Sequence, residues 1–152
     1  MYDMGVYPLN AARYATQEEP IAVSGRQYSD RENLYYEVDE HTEFTLWFAS
    51  GAIAYGETSF GKNSNYLDID AENGSYHLRP FQSYRGVRGE TSDGIVLTAD
   101  PNHQQARQMD NDALAIKENK TPIVPGEDGL RDIAIIEAIQ ESSRKGGVRI
   151  EL

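Results

Sequence analysis

The sequence predicts an α+β fold, an open and mainly antiparallel β-sheet with helices packed on one face. In residues 42–48 the apolar side chains Phe44, Leu46 and Phe48 alternate with Glu43, Thr45 and Trp47. This is the period of a strand with two unlike faces. The pairs Asn73-Gly74 and Asp93-Gly94 each lie between strand-like segments and signal tight hairpins, whose strands must be antiparallel. Helical periodicity is found only at the two ends of the chain.

The first half of the chain begins with a short helix over residues 5–15, with Pro8 in or near its first turn, where proline is tolerated. Residues 21–29 form a candidate strand. A second strand covers residues 42–48, and Ser50-Gly51 then turns the chain into a third strand over residues 52–60.

The second half contains the two hairpins, one joining residues 66–71 to 75–78 and the other joining residues 84–90 to 95–98. A helix opens at Asp100-Pro101, runs to about residue 120 and stops at Thr121-Pro122. A final helix over about residues 127–145 is followed by Gly146-Gly147 and by a short edge strand over residues 148–152. Its predicted apolar face consists of Leu130, Ile133, Ile136 and Ile139.

Composition excludes several classes of function. The 152 residues include 14 basic and 25 acidic side chains, a formal net charge of −11, so nothing attracts the chain to nucleic acid or to an anionic membrane. Its length is most simply that of one domain. The absence of cysteine excludes disulfides, thiolate metal sites and a cysteine nucleophile. No apolar run is long enough to span a membrane and no signal peptide is visible, which favours the cytoplasm.

Asp3 and Tyr7 form the most suggestive pair of the sequence. They lie four residues apart at the start of the first helix, a spacing that places side chains on one face. A carboxylate beside a phenol could hold a substrate hydroxyl and transfer its proton. The alternative is that Asp3 is an N-cap and Tyr7 an ordinary, partly buried aromatic residue.

Aromatic residues on the predicted strands raise a second possibility. The chain has ten tyrosines, and Trp47 and Tyr55 fall on strands. If helices cover one face of the sheet, the other face could meet a partner, because tyrosine and tryptophan are enriched at interfaces. The alternative is a tyrosine-rich sheet that owes its composition to β-propensity alone.

Other familiar sites are missing from the sequence. Gly86, Gly89 and Gly94 lack the spacing of a dinucleotide-binding loop, and there is no P-loop or serine-nucleophile motif. The three histidines lack metal-ligand spacing and are expected to make local hydrogen bonds. No metal site and no cofactor site are therefore expected within this chain.

Two segments resemble the glucose-fructose oxidoreductase and inositol dehydrogenase (Gfo/Idh/MocA) family. Residues 3–10 read DMGVYPLN and residues 12–14 read ARY, similar to the Asp-x-Gly-x-His/Tyr helix of that family. Residues 125–132 (PGEDGLRD) and 136–146 (IEAIQESSRKG) look like its closing helix. Their order and separation also match the family, and Tyr7 in place of the commoner His most resembles the glucose-fructose oxidoreductase branch.

The resemblance implies an enzyme of two domains. Residues 1–152 would be the C-terminal domain for substrate binding and oligomerisation, while NAD or NADP would be bound mainly by an N-terminal Rossmann domain absent from this chain. Tyr7 would be the general acid/base at the hydroxyl of a sugar or polyol, and Asp3 would orient that hydroxyl or Tyr7. A free phenol, with a pKa of about 10, is a weak base at neutral pH. The family's lysine, on the absent domain, would supply the cation that Tyr7 needs.

Three further residues are candidates for substrate binding: Arg79, Tyr84 and His103, near strand ends and near the start of the helix that follows. Asp112 departs from the family pattern, which implies an apolar residue there. The rival interpretation is a stand-alone, non-catalytic module that dimerises through its open sheet face or binds sugar without chemistry.

Overall fold

The structure is a computed structural model that describes residues 1–99 and 103–152. The predicted starting point of the helix that follows, Asp100-Pro101, lies outside the described residues. The chain divides into two units, of which unit 1 consists of Met1–Ser64 with Leu130–Leu152 and unit 2 consists of Asn65–Gly129. The α+β class and the antiparallel pairing are confirmed, and the strands form two open four-stranded sheets.

The described residues form three helices and eight strands. In chain order they are α1 (Val6–Thr16), β1 (Pro20–Tyr28), β2 (His41–Phe48), β3 (Ile53–Ser59), β4 (Leu67–Ala71), β5 (Gly74–Leu78), β6 (Arg88–Thr91), β7 (Val96–Thr98), α2 (Gln104–Lys117), α3 (Gly126–Arg144) and β8 (Ile150–Glu151). Pro8 lies in the first turn of α1, as predicted, and both predicted hairpins are present.

Unit 1 contains a sheet with strand order β3-β2-β1-β8. One face of this sheet carries Val23, Phe44, Leu46 and Phe48, which pack against buried side chains of α1 and α3. The sequence alternation in β2 is thus confirmed, with its apolar set facing the core. Gly56 is required beneath Phe44, because a Cβ atom there would overlap the phenyl ring.

The buried face of α3 differs from the predicted one. Ile136 and Ile139 are fully buried, but Leu130 is 68% exposed and Ile133 is 38% exposed, while Ile135 is buried instead. The run of apolar residues at 133–136 offers two overlapping helical faces. The face of α3 that is buried also places Asp132 in a buried contact, which is described below.

Two serine hydroxyls fasten the end of α3 to the edge of β1. Ser142 is fully buried, and its Oγ accepts a hydrogen bond from the Gly25 amide at 2.9 Å and donates to the Val148 carbonyl. Ser143 Oγ accepts from the Gln27 amide at 2.9 Å. Gly25 allows this close approach, since a Cβ atom there would lie 2.7 Å from the Ile139 carbonyl oxygen.

Unit 2 contains a second sheet, with strand order β4-β5-β6-β7. β3 and β4 belong to different sheets, and residues 60–66 between them form no strand. The register places polar and charged residues on one face and mainly apolar residues on the other. Helix α2 has no buried residue along its described length.

Candidate active site

Asp3 and Tyr7 lie in unit 1, on either side of Gly5. Helical hydrogen bonds run from the Gly5 amide to the Met1 carbonyl (2.8 Å) and from the Leu9 amide to the Gly5 carbonyl (3.3 Å). Residues 2–5 thus form turns that lead into α1, which begins at Val6. The N-cap of α1 is Gly5, and no side chain caps the helix, so the interpretation of Asp3 as the N-cap is wrong.

Both side chains are available to a ligand. Asp3 is exposed and the Tyr7 side chain is 42% exposed. Within residues 1–99 and 103–152 neither the Asp3 carboxylate nor the Tyr7 hydroxyl has a hydrogen-bond partner. Leu9 and Ala12, which follow on the same helix, are buried in the core. The helix that carries Tyr7 is therefore held in place by apolar packing, while the polar groups of Asp3 and Tyr7 stay exposed.

A buried ion pair that the sequence did not reveal anchors α1. Arg13 is 6% exposed, and its Nη1 atom donates to Asp132 Oδ1 at 2.6 Å. Its Nε and Nη2 atoms donate to both carboxylate oxygens of Glu19, at 2.7 and 2.8 Å. Asn10 Nδ2 donates to the second Asp132 oxygen at 3.2 Å. Such a charge-assisted, bidentate arrangement has strong directional preferences.

The face of the unit 1 sheet opposite the core, here called the open face, carries Ser24, Arg26, Tyr28, Glu43, Thr45, Trp47, Ile53, Tyr55 and Glu57. Tyr55 is 81% exposed. The Arg149 guanidinium lies 4.8 Å from the centre of the Trp47 ring, a cation–π contact. Trp47 and Tyr55, the two aromatic residues noted on the predicted strands, thus both lie on the open face.

One end of the open face is closed by a polar cluster of unit 1. Glu40, 3% exposed, accepts hydrogen bonds from Arg31 Nε (2.7 Å) and from the amides of Asp30 and Arg31. The hydrogen bond from Arg31 is the main reason why the pKa of Glu40 is lowered from 4.5. His41 is buried and stacks on Tyr28. Neither ring nitrogen of His41 makes a hydrogen bond among the described residues, so the expectation of a local hydrogen bond is wrong for it. Its Nε2 atom nevertheless lies 3.2 Å from Asp30 Oδ2, close enough for an ion pair if the ring is protonated.

Arg79 lies in unit 2, just after β5, and its guanidinium is already engaged. Its Nη1 and Nη2 atoms donate to the two oxygens of Asp68 at 2.7 and 2.6 Å. This contact, followed by the hydrogen bond with His77, holds the pKa of Asp68 below its usual value. A substrate hydroxyl would have to share the Arg79 guanidinium with Asp68. A substrate role for Arg79 stays a prediction.

Asp68, His77 and Ser75 form a hydrogen-bonded chain on the polar face of the unit 2 sheet. His77 Nδ1 lies 2.8 Å from Asp68 Oδ1, and His77 Nε2 lies 3.0 Å from Ser75 Oγ. The order resembles that of a hydrolase triad. However, the Ser75 amide donates to Ser92 Oγ, and the register places Asp70 beside Ser75. The Ser75 amide is therefore not free to donate to an oxyanion, and the hydrogen bond between Asp68 and His77 joins β4 to β5.

Tyr84 and His103 lie in neighbouring segments of unit 2. Gln104, next to His103, donates from Nε2 to the carbonyl of Ser83, next to Tyr84, at 2.9 Å. Tyr84 is 77% exposed, and His103 precedes α2 with a left-handed backbone (φ 68°). The structure thus brings these two segments together, while the roles of Tyr84 and His103 in substrate binding stay predictions.

A shallow cleft of about 390 Å³ runs along α2 in unit 2. Its lining includes Asp112, the residue that departs from the family pattern, together with Ile123 and Val124. Asp112 is half-buried there. Because α2 buries no side chain, a carboxylate at this position leaves its packing intact.

The described residues contain neither a metal-binding cluster nor a membrane-spanning helix. In residues 1–99 and 103–152 no three His, Asp or Glu side chains are grouped so that they could hold a metal ion. In the same residues, no helix combines the length and the apolar character that crossing a membrane requires.

Comparison with known proteins supplies the family. The profile of the GFO/IDH/MocA C-terminal domain matches residues 1–77. The chain is 35% identical to an aldose-aldose oxidoreductase from Caulobacter crescentus, crystallised with glycerol, with a TM-score of 0.88 over 99% of this chain and 46% of that one. It is 27% identical over 146 residues to the NADP(+) D-xylose 1-dehydrogenase of Haloarcula marismortui.

A more distant structure shares the fold. Myo-inositol 2-dehydrogenase from Lactobacillus plantarum superposes with a TM-score of 0.75 at 17% identity, covering 99% of this chain and 47% of that one. The chain spans 41% of the length of the xylose dehydrogenase and less than half of each of these two structures. Because the profile covers half of the sequence and the folds agree along nearly all of it, the chain belongs to the GFO/IDH/MocA family, as its C-terminal domain.

Proposed function

We propose that this chain forms the substrate-binding part of an NAD(P)-dependent oxidoreductase that acts on a sugar or polyol. The observation that carries the proposal is the 35% identity, along 99% of the chain, to an aldose-aldose oxidoreductase crystallised with glycerol. The NADP(+) D-xylose 1-dehydrogenase relative agrees in substrate class. The glucose-fructose oxidoreductase branch is the proposed subgroup, because Tyr7 replaces the commoner histidine.

The chemistry assigned to this chain concerns the substrate hydroxyl. Oxidation of a carbinol removes a proton from its hydroxyl and a hydride from its carbon. We give the proton to the Tyr7 oxygen, which must be ionised to accept it, and the NAD(P) of the complete enzyme would take the hydride. Asp3 would accept a hydrogen bond from the substrate hydroxyl or from Tyr7. The exposure of both groups and their lack of partners in the described structure support this role.

The residues present do not fit a nicotinamide cradle. Such a site needs a glycine-rich turn between a strand and a helix. Here Gly89 lies within β6, and Gly86 and Gly94 lie in turns outside any strand–helix connection. We therefore assign NAD or NADP mainly to a Rossmann domain outside this chain, and we expect the isolated chain to be inactive.

The test is to join the chain to the domain encoded upstream of the Met1 codon and to follow nicotinamide reduction with a panel of aldoses and polyols. Tyr7→Phe should lower kcat by about 10²-fold or more, the usual size of an acid/base contribution. Tyr14→Phe, which alters an exposed tyrosine of the same helix, serves as the matched control. Unchanged turnover in Tyr7→Phe would refute the acid/base role, and a stop codon upstream would refute the two-domain enzyme.

The second candidate function is self-association through the open face, with or without sugar binding. It is favoured by the balance of charge there: Arg26 and Arg149 are positive, while Glu43 and Glu57 are negative, on a chain whose net charge is −11. A second copy could meet this face without strong repulsion. The oxidoreductase proposed above could therefore also be a homo-oligomer that pairs through this face.

Sedimentation over a range of concentrations tests the second candidate. Tyr55→Glu should shift the equilibrium towards monomer, because it buries a charge in the proposed interface. Tyr36→Glu, at a comparably exposed tyrosine outside the strands, is the control. A chain that is monomeric at every concentration would argue against this candidate.

A further inference from the structure

Helix α1 and the turn before it are attached to α3 at two places. At one end Tyr2 donates from its hydroxyl to Gln140 Oε1 at 3.3 Å, an exposed contact. At the other end Asn10 and Arg13 both donate to Asp132. Residues 2 and 10 are separated by eight positions, as are 140 and 132, so the two segments run antiparallel with matched spacing. Asp3 and Tyr7 lie between the two attachments.

The two attachments differ in strength. The Tyr2 contact joins neutral groups in water, where a hydrogen bond contributes little. The contacts of Asp132 are charge-assisted, and both Arg13 and Asp132 are more than nine-tenths buried. Apolar packing of Leu9 and Ala12 holds the helix against the core, but it is not directional. The buried carboxylate therefore fixes the position of α1 along α3.

We infer that Asp132 is a positioning residue for Tyr7, acting through Arg13 and Asn10 to fix the place of helix α1. The catalytic consequence rests on the proposed function. A displacement of about 1 Å at a reacting group can cost 10²-fold in rate. Asp132 lies outside the segment that carries the acid/base pair, and its effect is transmitted by the helix.

Hydrogen exchange in the 152-residue chain tests the attachment without any enzyme assay. Asp132→Asn should raise exchange at the amides of α1. Glu141→Gln is the matched control, since it changes a carboxylate of the same helix that pairs with Arg144 and Lys145 at the surface. It should leave α1 unchanged. Equal exchange in α1 for Asp132→Asn and the parent chain would overturn the inference.

Kinetics of the two-domain protein separate positioning from mere stability. The double variant Arg13→Met/Asp132→Leu replaces the ion pair with apolar side chains, a change that often preserves or raises stability. We expect a melting temperature near that of the parent, a kcat lower by about tenfold or more and a nearly unchanged KM. If the double variant has both the melting temperature and the kcat of the parent, the inference is overturned.

The two proposals fail separately. If Tyr7→Phe retains the parent kcat, the acid/base role is lost, and the exchange result alone decides whether Asp132 positions α1. If Tyr7→Phe is inactive while the double variant has the parent kcat, the acid/base role stands and the positioning role falls.

Discussion

Units 1 and 2 are both built on a four-stranded antiparallel sheet, but they bury side chains very differently. Every apolar side chain that is buried among the described residues belongs to unit 1. In residues 65–99 and 103–129 no apolar side chain reaches that level of burial. Unit 1 is thus stabilised by a core. Unit 2 relies on strand ladders and polar contacts, such as Asn65 with the backbone of Phe81 and Gln82.

The largest expected contrast comes from the same substitution on a helix of each unit. Ile136→Ala, at a fully buried residue of α3, should lower the free energy of unfolding by about 2–5 kcal/mol, because it leaves a cavity. Ile116→Ala, at a residue of α2 that is 78% exposed, should change it by less than about 0.5 kcal/mol. Urea unfolding of the two variants measures both values. Equal losses would mean that unit 2 has a core of its own.

The next prediction compares two glycine-to-alanine substitutions that should change the stability in opposite directions. Gly25→Ala should destabilise unit 1 by about 1–3 kcal/mol, since its Cβ would lie 2.7 Å from the Ile139 carbonyl oxygen. Gly129→Ala, within α3, meets no atom within 4 Å and should stabilise the helix by up to about 1 kcal/mol. Thermal melts of the two variants give the two signs. A neutral Gly25→Ala would show that β1 and α3 can move apart freely.

The smallest contrast appears in the dependence on pH. Glu40 in unit 1 and Asp68 in unit 2 both have pKa values below their usual values of 4.5 and 3.8, chiefly through hydrogen bonds from Arg31 and Arg79. A lowered pKa in the folded state contributes stability above the unfolded-state pKa, and that stability is lost as the pH falls through the folded pKa. Glu40→Gln and Asp68→Asn should therefore destabilise at neutral pH and progressively less in acid.

Glu40 and Asp68 differ in burial, and the sizes of the two effects on stability should reflect this difference. Glu40 is 3% exposed, whereas a third of the Asp68 side chain is exposed, so solvent screening should make the effect of Asp68→Asn the weaker one. Unfolding curves recorded from neutral pH to well below 4.5 compare them. An effect of Glu40→Gln that grows as the pH falls would contradict the assigned sign.

Much of the secondary structure was predictable because its signals are local. The turn pairs Asn73-Gly74 and Asp93-Gly94 located two hairpins, and the alternation in residues 42–48 identified both the strand and its buried face. The division into two sheets was not predictable, since periodicity identifies strands but not the neighbour of an edge strand. The observed bounds of β6 and β7 are also shorter than the predicted segments.

The candidate site was predictable only where its chemistry lies in one short segment. Asp3 and Tyr7 are four residues apart, and their roles remain predictions. The burial of Arg13 and Asp132 was not predictable, because the partner that compensates each charge lies 119 positions away in the sequence. A contact of that kind leaves no local pattern.

The serine hydroxyls at the end of α3 limit how the molecule could aggregate. Strand β8 covers β1 only at Ala22 and Val23, which would leave the next amides of that edge ready to pair with a strand from another molecule. Ser142 and Ser143 occupy the amides of Gly25 and Gln27. The part of that border from Gly25 to Gln27 is therefore closed to strand addition, and in unit 1 an added strand would have to pair with β3 or with the outer edge of β8.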